Sequence, residues 1–364
     1  MDNIYPSFHP IGHNDALNAF LSAWNHNKLH HAWLFCGTKA IGKAGVAHYL
    51  ARFILTHGQP DDNSQSNLFS LSETDGEQLT LADLDISFDN PEIKQYFAQS
   101  NPNFISIQRN IDAKTGKFQS LINVDAIRQI NQQLSTTHND GYRVIIIDSI
   151  DEMNINAANA ILKILEEPPK QTIFFLISHN PDKLLPTIIS RCRKLDFSPL
   201  NQLDMRALLN EEGAELPQDI TDIILWLADG AVGKAQQLFS ADGQEIWRDI
   251  YQLFGQLRAK NLSQTAKFCA KYGKKGRLNK EEQNFELMIE LWLRLIQAGC
   301  LYVGQAQKGL PQEIQALFYN DPQKSLDEWL QLWDKTIRIS KQLLSGDIDR
   351  TTGLHRLLLA VSNL

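Results

Sequence analysis

One stretch of this chain constrains its fold more than any other: an apolar run, a glycine-punctuated turn and a helical pattern, in that order. Ala32-Trp33-Leu34-Phe35-Cys36 reads as a short buried strand. Gly37-Thr38-Lys39-Ala40-Ile41-Gly42-Lys43-Ala44 follows, and a helical stretch runs from Lys43 to about Thr56. The octet fits G-x-x-x-x-G-K and lacks only the closing Ser or Thr. Such a loop lets backbone N–H groups converge on an anion, and the dipole of the helix behind it adds to the attraction. Lys43 would reach the outer phosphates of a nucleotide. Ala44 has no hydroxyl, so it cannot hold Mg²⁺ at the position where a working site binds it.

A second strand carries the same division between fold and activity. Val144-Ile145-Ile146-Ile147 is β-branched and continuous, as in a central parallel strand, and ends at Asp148, where a carboxylate would face the nucleotide metal. An active ATPase places a Glu next; here the residue is Ser149, which is no general base near neutral pH. Asp151 and Glu152 follow, either as a displaced acid or, the preferred reading, as the acidic first turn of a helix. Gly37, Gly42, Lys43, Ala44 and Asp148 thus form a degenerate nucleotide site, in which weak ATP or ADP binding stays open.

The rest of the first 200 residues alternates strands with helices, which predicts a parallel α/β sheet. A helix is expected over residues 15–30, with Leu17, Phe20, Leu21 and Trp24 on one face. Further strands are expected at Phe104–Ile107, Thr172–Ile177 and Arg193–Phe197, and helices at Val124–Leu134 and Ala157–Leu165, the last stopped by Pro168-Pro169. Residues 59–100 interrupt the pattern. They hold nine Asp or Glu and one basic residue, Lys94, and read as a solvated, partly mobile surface insertion with a short helix from Pro91 to about Gln99. From about residue 201 strands vanish. The domains expected are an α/β domain over 1–200, a helical lid over 201–242 and an all-α domain over 243–364. In the last, Leu326, Trp329, Leu330, Trp333, Ile337 and Leu344 recur at helical spacing and read as packing.

Composition narrows the function. The 364 residues carry a net charge of -7, which disfavours tight autonomous DNA binding, since each neutralised phosphate needs a Lys or Arg. Basic loop residues such as Lys39 and Arg109 remain candidates for a shared contact. Cys36, Cys192, Cys269 and Cys300 form no CxxC pair and have no His at ligand spacing, so neither a disulfide framework nor a zinc ribbon is expected. Apolar runs such as Ile173–Ile177 fall far short of the roughly 18 residues that cross a bilayer. The opening MDNIYPSFHPIGHND shows no secretory pattern, and a soluble cytoplasmic protein with reduced thiols is expected.

Ser190-Arg191-Cys192 lies between the helical stretch Leu184–Ile189 and a short strand. From the residues alone, Arg191 is either a donor to a reacting phosphoryl group or a structural arginine paired with a carboxylate. Other stretches make the family specific: His31–Phe35 with the octet Gly37–Ala44, Thr115-Gly116-Lys117, Ile122–Arg128, Asp148–Asn154, the run NAANAILKILEEPP over Asn156–Pro169, and Ser178-His179-Asn180. Over residues 8–200 the chain resembles the clamp-loader subunits of the AAA+ family, most of all the delta-prime group of bacterial DNA polymerase III, alphaproteobacterial type. Beyond that it agrees in length and helicity only.

The resemblance implies an AAA+ P-loop domain, a small helical lid and a helical collar that joins a pentameric ring. It implies a rigid subunit of the DNA-directed DNA polymerase III assembly that is not itself an active ATPase or polymerase. The partners implied are the motor ATPase subunits (gamma/tau) and delta, with the sliding clamp and primer-template DNA contacted through the complex. Arg191, flanked by Ser190 and Cys192, would be an arginine finger reaching a neighbouring ATP site, where such a group contributes about 10³–10⁵ in rate. Two departures stand out. The four-cysteine zinc module of many members is replaced by the cysteine-free insertion, so no zinc is expected. Gly233 stands where active relatives carry a sensor arginine, with Lys234 one step on. Other classes weighed were a self-sufficient AAA+ motor, such as a helicase loader, and a small-molecule P-loop kinase. The first needs the missing Mg²⁺ ligand and base; the second leaves Ser190-Arg191-Cys192 and the helical tail unexplained.

Overall fold

The structure, a computed structural model, describes residues 10–58, 78–109, 121–136, 141–211, 217–257, 262–274, 279–306, 309–319 and 325–362. Thr115-Gly116-Lys117 and the first part of the acidic stretch, 59–77, lie outside them. The chain divides into two compact units, one ending at Leu200 and one running from Asn201.

The first unit is built on five parallel strands: β1 (Ala32–Cys36), β2 (Phe104–Ile107), β3 (Arg143–Ile147), β4 (Thr172–Ser178) and β5 (Arg193–Asp196), in the order β2-β3-β4-β1-β5. This is a parallel α/β domain, as expected. Sequence composition follows position in the sheet. β4 and β1, flanked on both edges, are buried at every residue, whereas the edge strand β5 buries only Leu195. The register sets Leu34 opposite Leu176, and Ile146 opposite Phe175. One face packs aliphatic side chains of α4 (Val124–Thr136) and α5 (Ile155–Glu166), among them Ile127, Ile130, Ile161 and Leu165, against Leu34, Ile145 and Leu176. The other face is aromatic: Trp33, Phe35 and Phe175 pack with Phe20 of α1 (Asn14–Asn25) and with Phe197.

Two expectations need correcting. The first helix ends at Asn25, because Asn27 turns into the left-handed region at φ 52°. The acidic stretch is not solvated throughout. Its described part, 78–100, folds onto α2 (Lys43–His57) through a 3-10 turn (Leu81–Leu84) and α3 (Pro91–Phe97), burying Leu84, Ile93 and Tyr96. The reason is visible in α2, whose apolar residues spread over more than one face and would leave one side wet without a cover. Asn90 caps α3 and Pro91 opens it. His48 on α2 hydrogen-bonds the Tyr96 hydroxyl, and the Arg52 guanidinium lies against the Tyr49 and Phe97 rings.

The second unit is wholly helical in its described residues: α7 (Gln202–Glu211), α8 (Gln218–Ala228), α9 (Val232–Phe239), α10 (Ala241–Leu257), α11 (Leu262–Tyr272), α12 (Asn279–Val303), α13 (Gln312–Ala316), α14 (Leu326–Ser345) and α15 (Arg350–Ser362). A short helix, α6 (Pro186–Ile189), belongs to the first unit. α12 packs against α10 and α14, and α14 against α15. Trp292 and Trp329 are buried, with Phe254 against Trp292 and Phe318 against Trp329. The expected packing stripe on α14 is only partly core: Trp329 is buried, but Leu326, Leu330 and Leu344 are exposed, because the buried face of the helix runs through Leu332, Ile339 and Leu343. Ser325 and Glu328 form a reciprocal cap that starts α14. Among the described residues no helix is long and apolar enough to cross a membrane.

Candidate functional site

Parallel strands deliver their C-terminal ends to one edge of the sheet, and the loops after β1, β3 and β4 meet there. The loop after β1 opens with Gly37 at φ 156°; a Cβ there would sit 2.5 Å from the Phe197 carbonyl oxygen, so only glycine fits. It closes with Gly42 at φ 101°, the residue before α2. His13 Nε2 bonds the Ile41 carbonyl at 2.7 Å and steadies the loop from outside.

Lys43 is turned into this loop. Its Nζ donates to the carbonyls of Gly37 at 2.7 Å and Thr38 at 2.5 Å, and the side chain is only 2% exposed. Burial pulls its pKa down to about 8, against the smaller pull of Asp148 and Asp151. Burial likewise pushes the Asp148 carboxyl above its ordinary range, with Lys43 opposing. Ala44 offers only a methyl group. As arranged, these residues do not fit a hydrolysable Mg²⁺–nucleotide: the metal's hydroxyl ligand is missing, and two of the lysine's three donors go to its own loop.

The place of the catalytic base is also filled by something else. Ser149 sits in the left-handed region, φ 67° and ψ 55°, and its Oγ lies 3.1 Å from Nε2 of His179. His179, just past β4, is driven by burial and by Lys43 to a pKa of about 4, so its ring is neutral at pH 7. The two nearby acids are committed. Asp151 accepts the backbone N–H of His179 at 2.9 Å, and Glu152 pairs with Arg109 at 2.8 Å. Both stand in the first turn of a 3-10 helix (Ile150–Glu152), the acidic helix start that the sequence favoured, and Arg109, a loop cation offered as a DNA contact, is held by Glu152. The partnership of His179 with Ser149 was not read from the sequence; its only signal was the Ser178-His179-Asn180 stretch.

Arg191 lies elsewhere on the same unit, between α6 and β5. Ser190 Oγ donates to the Thr187 carbonyl at 3.1 Å. Burial pushes the Cys192 thiol up to about 12, so it stays protonated and packs against the aliphatic core. The Arg191 side chain is 35% exposed and pairs with Glu166 at 2.8 Å. Both readings of this arginine therefore have a footing: it has a carboxylate partner, and it is at the surface. In the helical unit, Lys234 pairs with Glu290 of α12 at 2.8 Å, so the cation nearest the sensor position is spent within its own unit. Among the described residues no group of three or more His, Cys, Asp or Glu is arranged to hold a metal ion.

Comparison with known proteins gives this geometry a family. The tau subunit of DNA polymerase III from Bacillus subtilis is 26% identical over 234 residues, covering 63% of this chain and 36% of that protein. The delta' subunit from the same organism is 32% identical over 177 residues, covering 48% and 44%. The chain thus spans less than half the length of either relative. A solved gamma-subunit-related protein of Thermotoga maritima aligns over 94% of this chain and 99% of its own, at 14% identity and a TM-score of 0.45. Residues 12–201, the unit holding the glycine loop, Asp148 and Arg191, match the family described as DNA polymerase III, delta subunit, and to that family the chain belongs.

Proposed function

We propose that this chain is a non-hydrolysing subunit of a DNA polymerase III clamp loader, helping to load the sliding clamp on primed DNA and lending Arg191 to the ATP site of a neighbouring motor subunit. The observation that carries this reading is the contrast between the two ends of the first unit. At the glycine loop, metal ligand and base are both replaced, and Lys43 is bound by the loop itself. At the Ser190-Arg191-Cys192 turn, a guanidinium with a fixed fork of donors stands at the surface.

The proposed partners are the gamma/tau motor subunits and delta, with the clamp and primer-template DNA met through the complex in the cytoplasm. The chain needs neither zinc nor a nucleotide of its own for this work. ATP turnover by the purified chain is the test against a self-sufficient motor. Turnover far below ~1 s⁻¹, together with co-purification with motor and delta subunits, is the expected result. Turnover near that rate without partners overturns it.

A further inference from the structure

Arg191 is the residue through which the proposed subunit acts on its neighbour, and its guanidinium is already engaged at home. Nη2 meets Oε1 of Glu166 at 2.8 Å, and Nη1 donates to the Thr187 carbonyl at 2.9 Å and to Ser190 Oγ at 3.3 Å. These contacts curl the side chain back over α6, within its own subunit.

Glu166 is poorly placed for its own helix. α5 ends at this residue, where the carbonyl end of the dipole favours cations and disfavours a carboxylate. Lys163, one turn earlier, follows the rule; Glu166 breaks it. A broken local rule points to a gain elsewhere, and here the gain is the guanidinium. Glu166 belongs to the Leu165–Pro169 run and Arg191 to the Ser190–Cys192 turn, so two motifs far apart in sequence meet at one ion pair.

We infer that Glu166 is a positioning residue that parks Arg191 in its own subunit until a more highly charged anion on the neighbour draws the guanidinium away. This rests on the finger reading above. Both partners are half open to water, 35% and 48% exposed, so the pair is a weak hold of the kind typical of exposed ion pairs. Its strength amounts to about a two- to fivefold bias toward the parked position. A nucleoside triphosphate offers several charges and short charge-assisted bonds to the same fork, and outcompetes one screened carboxylate. The latch thereby restrains the finger when no partner site is assembled and yields when one is.

The test uses the reconstituted complex carrying Glu166→Gln, Arg191→Ala or both, with ATP turnover measured with and without primed DNA. Glu166→Gln is expected to raise DNA-independent kcat about two- to fivefold, with KM for ATP unchanged, and Arg191→Ala in the same chain is expected to abolish the gain. Damage to the fold would not raise turnover. An unchanged or lowered DNA-independent rate in Glu166→Gln, alongside a loss of stimulated rate in Arg191→Ala, overturns the parking role and leaves the finger standing. An unchanged stimulated rate in Arg191→Ala removes the finger and the parking role together.

Discussion

Replacing Lys43 with Met tests the loop-bound, buried lysine through its proton linkage. Burial holds the Lys43 ammonium at a pKa of about 8, against an ordinary value of 10.5. Below pH 8 the lysine is charged in folded and unfolded chains alike, and the folded state bears the whole cost of desolvation. Between pH 8 and 10.5 the folded chain has shed a proton that the unfolded chain still holds, so stability rises with pH across this window. Above 10.5 the dependence ends. The shift corresponds to about 3 kcal/mol in full, of which roughly 2 kcal/mol is recovered between pH 7 and 9.5. Met matches the side chain out to the ε position, lacks the ammonium, and cannot titrate. It also leaves the Gly37 and Thr38 carbonyls without a donor, but that loss is the same at every pH. Urea denaturation of wild type and Lys43→Met at pH 7 and at pH 9.5 isolates the lysine. The stability difference is expected to move by roughly 2 kcal/mol in favour of wild type as pH rises. A difference that stays constant over this range refutes the buried, self-bound ammonium.

The same Lys43→Met subunit is expected to support DNA-stimulated ATP turnover of the reconstituted complex within about twofold of wild type, because no phosphate contact is lost. A large loss with normal folding would show that bound nucleotide matters here. In the helical unit, Gly299→Ala would place a Cβ 2.2 Å from the ring of Trp329, itself buried. Overpacking of this kind costs about 1–3 kcal/mol, more than alanine's helix preference of about 0.5–1 kcal/mol returns, so the denaturation midpoint is expected to fall.

The sheet was legible because its strands carry their position in their composition. Val144–Ile147 and Ile173–Ile177 are continuous apolar runs, as expected of strands covered on both faces. The missing hydroxyl at Ala44 and the Ser at 149 were legible for a simpler reason, since an absent functional group can be read residue by residue. What was not legible depends on contacts between distant residues. Acidic composition hid the docking of Ile93 and Tyr96 on α2, although the apolar run through Tyr49, Leu50, Phe53, Ile54 and Leu55 called for a wide cover. Nothing in the octet foretold that Lys43 would turn back on Gly37 and Thr38. The pairing of Arg191 with Glu166 joins two turns brought together by α5 and α6, and neither motif names the other.

The most direct measurement is the DNA-stimulated ATP turnover of a complex whose only altered residue is Arg191→Ala in this chain. Complex assembly and the chain's own denaturation midpoint should match wild type, since an exposed ion pair contributes only about 0–1 kcal/mol. Turnover is expected to fall by at least about tenfold, as befits a guanidinium that neutralises a transferring phosphoryl group in the next subunit. Turnover equal to wild type in an intact complex would contradict the account.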